Sequence, residues 1–279
     1  MDENRKIPAN STLFKQFKER HLKQINQFEE FAEQLTRKAG AAKKKSGKAS
    51  SYARYLIRLL ILYYEEYNEY LSNLISFDSV KNIEKITNKH QFRKLNINEG
   101  HFYSATFRCY KAFVAETNEH VEEIETNLTN EELDRKNDIV INSSDLIKSP
   151  QKKNERNNHN GAYKRNKLEI HASKQRNNWK CEYNKNHTTF INSSNNKPFV
   201  EAHHLIPMGA QDYFDNTIDF SDNIVILCPN CHRKIHHGLD EEKKKMITGL
   251  FENRKWKYKN VYDIKIELSD LFDFYSIIK

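Results

Sequence analysis

The chain has 279 residues and a formal net charge of +8, with 46 lysines and arginines against 38 aspartates and glutamates. This length allows one large domain or two small ones. Only 7 glycines and 5 prolines occur, which argues against a many-stranded sandwich or barrel and favours long helices.

Targeting and membrane-spanning segments are not predicted. The most apolar stretch, residues 56–64, contains Arg58 and is too short to cross a bilayer. The first residues contain no apolar region of the kind found in signal peptides. The four cysteines are too few for a disulfide scaffold. We therefore expect a cytoplasmic protein that does not contact membranes.

Four amphipathic helices are predicted in the first part of the chain. Apolar side chains recur at helical spacing over residues 12–39 and, more strongly, over 50–75. Shorter patterns of the same kind cover 78–87 and 99–126. Residues 1–126 are therefore predicted to form an all-α domain, with their aromatic side chains in its core.

A polar segment, residues 127–163, is rich in Asn, Lys, Ser and Asp and is predicted to be a linker. Residues 164–279 would then form a second domain, which ends in a helical tail packed on its core or on a second copy of the chain. Charge is uneven around the linker, since residues 116–145 have a balance of −8 and residues 148–180 one of +8.

A second basic run, residues 37–48, carries six positive charges and no acidic residue. Basic runs are often only a solvated surface, but such clusters also bind nucleic-acid phosphates. The residues that we expect to contact phosphates are Lys43, Lys44, Lys45, Lys152, Lys153, Lys164, Arg165, Lys174 and Arg176.

Cys228 and Cys231 are separated by two residues, a spacing that forms one half of many tetrahedral zinc sites. Cys181 offers a third thiolate, but Asn184 stands where the second cysteine of another such pair would be. His187 is the nearest candidate for the fourth ligand. We therefore expect a structural Zn²⁺ at these three cysteines and His187. The alternative is a packed cysteine pair without metal.

The segments FVEAHHLIPM and SDNIVILCPNCHRKIHHG predict two strands, at 199–202 and 224–227, followed by a helix at 230–237. His232 and His236 are one helical turn apart, so both imidazoles share a face and can bind one ion. His203 on the first strand would be the third ligand. His204 points to the opposite strand face unless the strand bends, and it is therefore available as a base.

These segments resemble the HNH, or ββα-metal, nucleases, as found in McrA-like restriction endonucleases and the nuclease colicins. His204 corresponds to the first H, Asn223 to the N, and His232, with His236 as its partner, to the closing H. The resemblance covers about residues 181–240. It implies a mainly α protein with a small α+β module, in which an N-terminal all-α domain is followed by a zinc-supported ββα-metal nuclease domain.

The resemblance also implies the role of each site residue. His203, His232 and His236 would hold a catalytic divalent cation, Mg²⁺ or Mn²⁺, which polarises the scissile phosphate. His204 would be the general base that takes a proton from water, and Asn223 would hold His204 in position. The products would carry 5′-phosphate and 3′-hydroxyl ends. Two roles remain possible for Glu201: it orients a metal ligand, or it is a solvated charge on the strand.

The predicted function is that of a metal-dependent endonuclease of a bacterial restriction or defence system, with double-stranded DNA as substrate. Because one such site cuts one strand, a double-strand break predicts a homodimer, and the helical domain would serve DNA recognition or dimerisation. The alternatives are a homing or mobile-element endonuclease, an enzyme that requires modified DNA, and a zinc-containing nucleic-acid-binding protein without catalysis.

Overall fold

A computed structural model describes residues 4–38, 47–134, 141, 145–156 and 161–277. The predicted phosphate contacts Lys43, Lys44 and Lys45 lie outside these ranges. Over the described residues the protein is mainly helical, with a small two-stranded sheet, as the sequence predicts. The chain divides into two compact units, one up to Thr117 and the other from Asn118 to Ile277.

The first unit is built from helices. Its elements are α1 (Thr12–Arg20), α2 (Leu22–Lys38), α3 (Gly47–Tyr67), α4 (Phe77–Thr87), α5 (His90–Asn98) and the first part of α6 (Phe102–Asp134). Ser11 and Ser76 cap α1 and α4, since each side chain accepts a hydrogen bond from a first-turn amide. Helix α3 ends before the predicted residue 75 because Asn68 adopts a left-handed conformation, with φ of 54°.

Aromatic side chains fill the core of this unit, as the sequence predicts. The rings of Phe28 and Phe113 meet edge to face at a centroid distance of 5.7 Å. Tyr110 packs on Phe28 in the same way, and its hydroxyl donates to the backbone carbonyl of Leu74 over 2.7 Å. Burial of such rings stabilises the helix packing.

The second unit contains the end of α6, then α7 (Lys167–Arg176), β1 (Glu201–His204), β2 (Ile224–Leu227) and α8 (Pro229–His237). Strands β1 and β2 pair antiparallel, with His203 opposite Val225. Leu133 of α6 and Ile170 of α7 pack against Ala202, Ile224 and Ile226 of the sheet and against Val200, which precedes β1.

Helix α6 continues to Asp134, beyond the predicted end at residue 126. Residues 127–134, which the sequence assigns to the linker, are helical because Leu133 is buried in the core of the second unit. The compact units also divide at residues 117 and 118, within α6, and not at residue 126.

The C-terminal tail forms α9 (Asp240–Glu252), α10 (Lys255–Asn260) and α11 (Leu268–Phe274). Helix α9 packs against α8, and α11 packs against α9. Met246 and Ile247 are fully buried, so the tail adds apolar contacts to this unit. Among the described residues, none of the helices has the length and apolarity that crossing a bilayer requires.

Candidate active site

Three histidines meet where β1 lies beside α8. His203 is on β1, and His232 and His236 are one turn apart on α8. One ring nitrogen of each lies within 4.8 Å of the others. The ring centroid of His203 is 5.1 Å from that of His232 and 4.8 Å from that of His236. These are the three residues predicted as ligands of a divalent cation.

The donor atoms of this cluster fit a cation. Nε2 of His236 is buried without a hydrogen-bond partner among the described residues. Burial, followed by the positive charge of neighbours such as His232, lowers the pKa of His236 to about 3. Burial and the other imidazoles lower the pKa of His203 well below its ordinary value. The rings of His203 and His236 are therefore neutral at pH 7, and their lone pairs are available for a metal.

Two further side chains orient the cluster. Oε2 of Glu201 lies 3.0 Å from Nδ1 of His232, which leaves Nε2 of that ring for a cation. Glu201 thus contacts His232, a candidate metal ligand, and is not a solvated strand charge. The hydroxyl of Tyr275 lies 2.6 Å from Nε2 of His203 and donates to the Leu205 carbonyl over 3.0 Å. When the single hydroxyl proton is directed to Leu205, Nε2–H of His203 donates to Tyr275 and Nδ1 of His203 keeps its lone pair for a cation.

His204 is paired with a carboxylate. Its Nε2 lies 2.8 Å from Oδ1 of Asp219, and the two side chains are only 2% and 0% exposed. Oδ2 of Asp219 accepts hydrogen bonds from the backbone N–H of Asn166 (2.6 Å) and from Nδ2 of Asn154 (3.2 Å). The carboxylate is therefore held in place and accepts from Nε2–H of His204, which leaves Nδ1 of His204 to accept a proton.

The pKa of His204 reflects two opposing effects. Burial lowers it, whereas the hydrogen bond and charge of Asp219 raise it, and the net direction is downward. A neutral imidazole is the form that a general base requires.

Asn223 joins the segment that follows His204 to the segment that precedes Asp219. Its Oδ1 accepts from the backbone N–H of Ile206 over 2.8 Å and from the Tyr258 hydroxyl over 3.0 Å. Its Nδ2 donates to the carbonyls of Ile206 (3.1 Å) and Ile218 (2.8 Å). Asn223 thus contacts the backbone close to both His204 and Asp219, while Asp219 itself contacts the His204 ring.

The second candidate metal site contains Cys181, His187, Cys228 and Cys231, whose ligand atoms lie within 4.8 Å of one another. Nδ1 of His187 is 3.5 Å from Sγ of Cys228 and 3.3 Å from Sγ of Cys231. Burial, followed by the thiols of Cys181 and Cys228, raises the pKa of Cys231. Three crowded thiols and an imidazole are a donor set that a metal such as zinc stabilises.

Asn184 explains how His187 reaches the thiols. The Asn184 carbonyl accepts from the backbone N–H of His187 over 3.1 Å. Its side-chain Oδ1 accepts from the N–H of Asn186 over 3.0 Å. This tight turn brings His187 back towards Cys228 and Cys231. Asn184, which stands where a second CxxC cysteine would be, thus forms the turn that places His187 beside the thiols.

The predicted phosphate contacts differ in accessibility. Arg165 is buried and pairs with Glu122 over 2.9 Å, and Lys174 is buried and pairs with Asp134 over 2.8 Å. Both cations neutralise protein carboxylates and cannot reach a phosphate, which corrects the set expected from the sequence. Lys152 and Lys164 are exposed. Lys153 is partly exposed and lies near Asp212, whereas Arg176 is exposed and lies near Asp222.

Asp219 and Tyr275 are the two site residues that sequence reasoning missed. Asp219 lies in a loop fifteen positions after His204, and no regular residue spacing predicts a contact between the two. Tyr275 is near the end of the tail, 72 positions after His203. The only sequence signal for Asp219 is a carboxylate between the two strands.

Comparison with known proteins finds a partial relative. Over 69 residues the chain is 38% identical to the type IV methyl-directed restriction enzyme EcoKMcrA of Escherichia coli (strain K12). This match covers 25% of the chain and 22% of that enzyme. No protein-family model matches the chain, and no solved structure is significantly similar to it. The similarity is thus to a restriction enzyme and is limited to about a quarter of the chain.

Proposed function

We propose that this protein is an HNH-type, metal-dependent endonuclease of a bacterial restriction or defence system. It would hydrolyse phosphodiester bonds in double-stranded DNA and leave 5′-phosphate and 3′-hydroxyl ends. The observation that carries the proposal is the buried His204–Asp219 pair next to three histidines whose donor atoms lie within 4.8 Å of one another. The partial similarity to a restriction enzyme supports it.

The chain's residues have separate parts in this chemistry. His203, His232 and His236 would hold a divalent cation, Mg²⁺ or Mn²⁺, which when bound polarises the scissile phosphate and stabilises the leaving 3′ oxygen. Nδ1 of His204 takes a proton from the attacking water. Asp219 keeps the proton on Nε2 of His204 and stabilises the imidazolium that forms.

The same proposal assigns roles to the cysteine site, to the exposed lysines and to the first unit. A Zn²⁺ at the three cysteines and His187 would hold the segment before β1 against α8. The exposed Lys152 and Lys164 would contact phosphates. One site cuts one strand, so a double-strand break would require a homodimer, with the helical first unit in target recognition or dimerisation.

Cleavage of plasmid DNA by the full chain tests the proposal. Methylated and unmethylated plasmids are compared with Mg²⁺ or Mn²⁺, because the relative is named as methyl-directed. His204→Ala should abolish cleavage and leave DNA binding and zinc content unchanged. His237→Ala is the matched control, since His237 is exposed on the same helix and is not part of the cluster. A His204→Ala variant that still cuts would overturn the base assignment.

Metal analysis distinguishes the enzyme from a non-catalytic zinc protein. The proposal predicts one tightly held zinc and one exchangeable cation per chain. Two inert zinc ions, with no cleavage of either plasmid, would favour a nucleic-acid-binding module.

A further inference from the structure

A loop between the cysteine site and β1 exposes large apolar side chains. In this 189–199 loop the Phe190 side chain is 64% exposed and that of Ile191 is 59% exposed. The loop folds back on itself, since the N–H of Phe199 donates to the Phe190 carbonyl over 2.9 Å. The N–H of Asn192 donates to the Lys197 carbonyl over 2.8 Å. Phe190 and Ile191 therefore lie on an ordered turn that projects them into solvent.

Specific contacts hold the loop in this shape. Nδ2 of Asn192 and Nδ2 of Asn195 donate to the carboxylate of Asp134 over 3.1 and 3.3 Å. The rings of Phe190 and Phe199 are stacked, with centroids 4.8 Å apart and an interplanar angle of 18°. One face of Phe190 is thus supported by Phe199. A ring held in this way loses little conformational freedom when a partner covers its other face.

The loop ends at Phe199, two positions before β1, the strand that carries His203 of the histidine cluster. Val200 and Ala202 both pack into the core beneath the sheet. Because alternate strand residues point to opposite faces, Glu201 and His203 of β1 share the other face. From residue 199 to residue 203 an extended chain covers about 13 Å. Phe199, at the end of the loop, is therefore connected to His203 by no more than about 13 Å of extended chain.

The charge around the loop suits a polyanion. Lys180, Lys185 and Lys197 are exposed. Glu182 is the one acidic residue in the sequence 177–199. Its carboxylate is engaged by the guanidinium of Arg254 and by the N–H of Ile226. An apolar tip among cations complements stacked bases between phosphates.

On the basis of the proposed nuclease function, we propose that the 189–199 loop is a DNA-contacting element. It inserts Phe190 and Ile191 at a base step of double-stranded DNA within a few base pairs of the scissile phosphate. Apolar side chains inserted in this way partly unstack the bases and bend the duplex. The lysines of the segment would bind the flanking phosphates.

The test uses the full chain and a short duplex taken from a plasmid site that the wild-type protein cuts. The duplex carries 2-aminopurine, whose fluorescence rises when its base step is unstacked. Affinity is measured in the His204→Ala background, which keeps the strands intact, and cleavage is measured in the wild-type background. The double substitution Phe190→Ala, Ile191→Ala is compared with Trp256→Ala, because Trp256 is another exposed aromatic residue of the same unit, at 67% exposure.

The double substitution should weaken binding about tenfold and abolish the fluorescence rise, since base stacking on an aromatic side chain contributes substantially to affinity. Trp256→Ala should change neither, and all variants should keep their zinc. Unchanged affinity and fluorescence in the double variant, with cleavage intact, would overturn the inference and leave the nuclease proposal standing. A change in the oligomeric state of the DNA-free double variant would instead assign the loop to a contact between copies. A wild-type protein that neither binds nor cuts DNA would overturn both proposals.

Discussion

Nε2 of His204 lies 2.8 Å from Oδ1 of Asp219, and neither side chain is more than 2% exposed. The pair joins the end of β1 to the loop before β2. Asp219 is in turn fixed by the N–H of Asn166 and by Nδ2 of Asn154. A carboxylate with this many fixed donors determines the tautomer of the histidine that it contacts. Asp219 is therefore a positioning residue for the proposed base.

Asp219→Asn should reduce the rate of DNA cleavage about 100-fold or more, because the imidazole loses the acceptor that fixes its tautomer. Binding of the uncleaved duplex and zinc content should not change. Single-turnover cleavage measures the effect across pH. Asp263→Asn is the control, since Asp263 is exposed and Asn tolerates its positive φ of 50°. Equal rates in the two variants would refute a role for Asp219.

Asn223→Ala should destabilise the second unit by about 3 kcal/mol, because it leaves the buried N–H of Ile206 and the carbonyl of Ile218 without partners. Chemical denaturation with fluorescence detection gives the free energy of unfolding. Cleavage should also fall, since the backbone next to His204 and Asp219 would no longer be held. A stability equal to that of the wild type would contradict the buried network described above.

Cys228→Ser should remove most of the bound zinc and lower the temperature of thermal unfolding, because one of three thiolates is lost. Cys109→Ala provides the comparison, since Cys109 is a buried cysteine of the first unit and does not belong to the candidate metal site. Elemental analysis of both variants decides the point. Zinc loss in the Cys109 variant, or its retention in the Cys228 variant, would exclude the assigned ligands.

The stability of the protein without a cation at the histidine cluster should decrease as the pH falls below about 6.5. An unfolded histidine has a pKa of 6.5, whereas burial and neighbouring cations lower that of folded His236 to about 3. Between these values the unfolded chain binds protons that the folded protein does not, so acid favours unfolding. The contribution is fully present above pH 6.5.

Thermal unfolding measured from neutral to acidic pH tests this dependence. His236→Gln should make it shallower, whereas His237→Gln, on the exposed side of α8, should leave it unchanged. An added divalent cation should raise stability at neutral pH and lose this effect in acid, since protons compete for the imidazoles. Identical pH profiles for the wild type and His236→Gln would show that His236 is protonated equally in both states.

Local spacing in the sequence determined much of this protein. The period of apolar residues predicted the helices of the first unit, and the two-residue spacer between Cys228 and Cys231 predicted a metal site. The one-turn spacing of His232 and His236 identified a shared helix face. Each of these features depends on residues that are only a few positions apart, so a short segment of sequence is enough to predict it.

Tertiary structure decided the contacts between distant segments. The sequence assigned Arg165 and Lys174 to a basic surface, but the fold pairs them with Glu122 and Asp134 inside the protein. Asp219 and Tyr275 reach their histidines only through the path of a loop and of the C-terminal tail. The packing of separate elements determines which charged side chains form ion pairs and which aromatic rings stay exposed. No local periodicity in the sequence predicts these contacts.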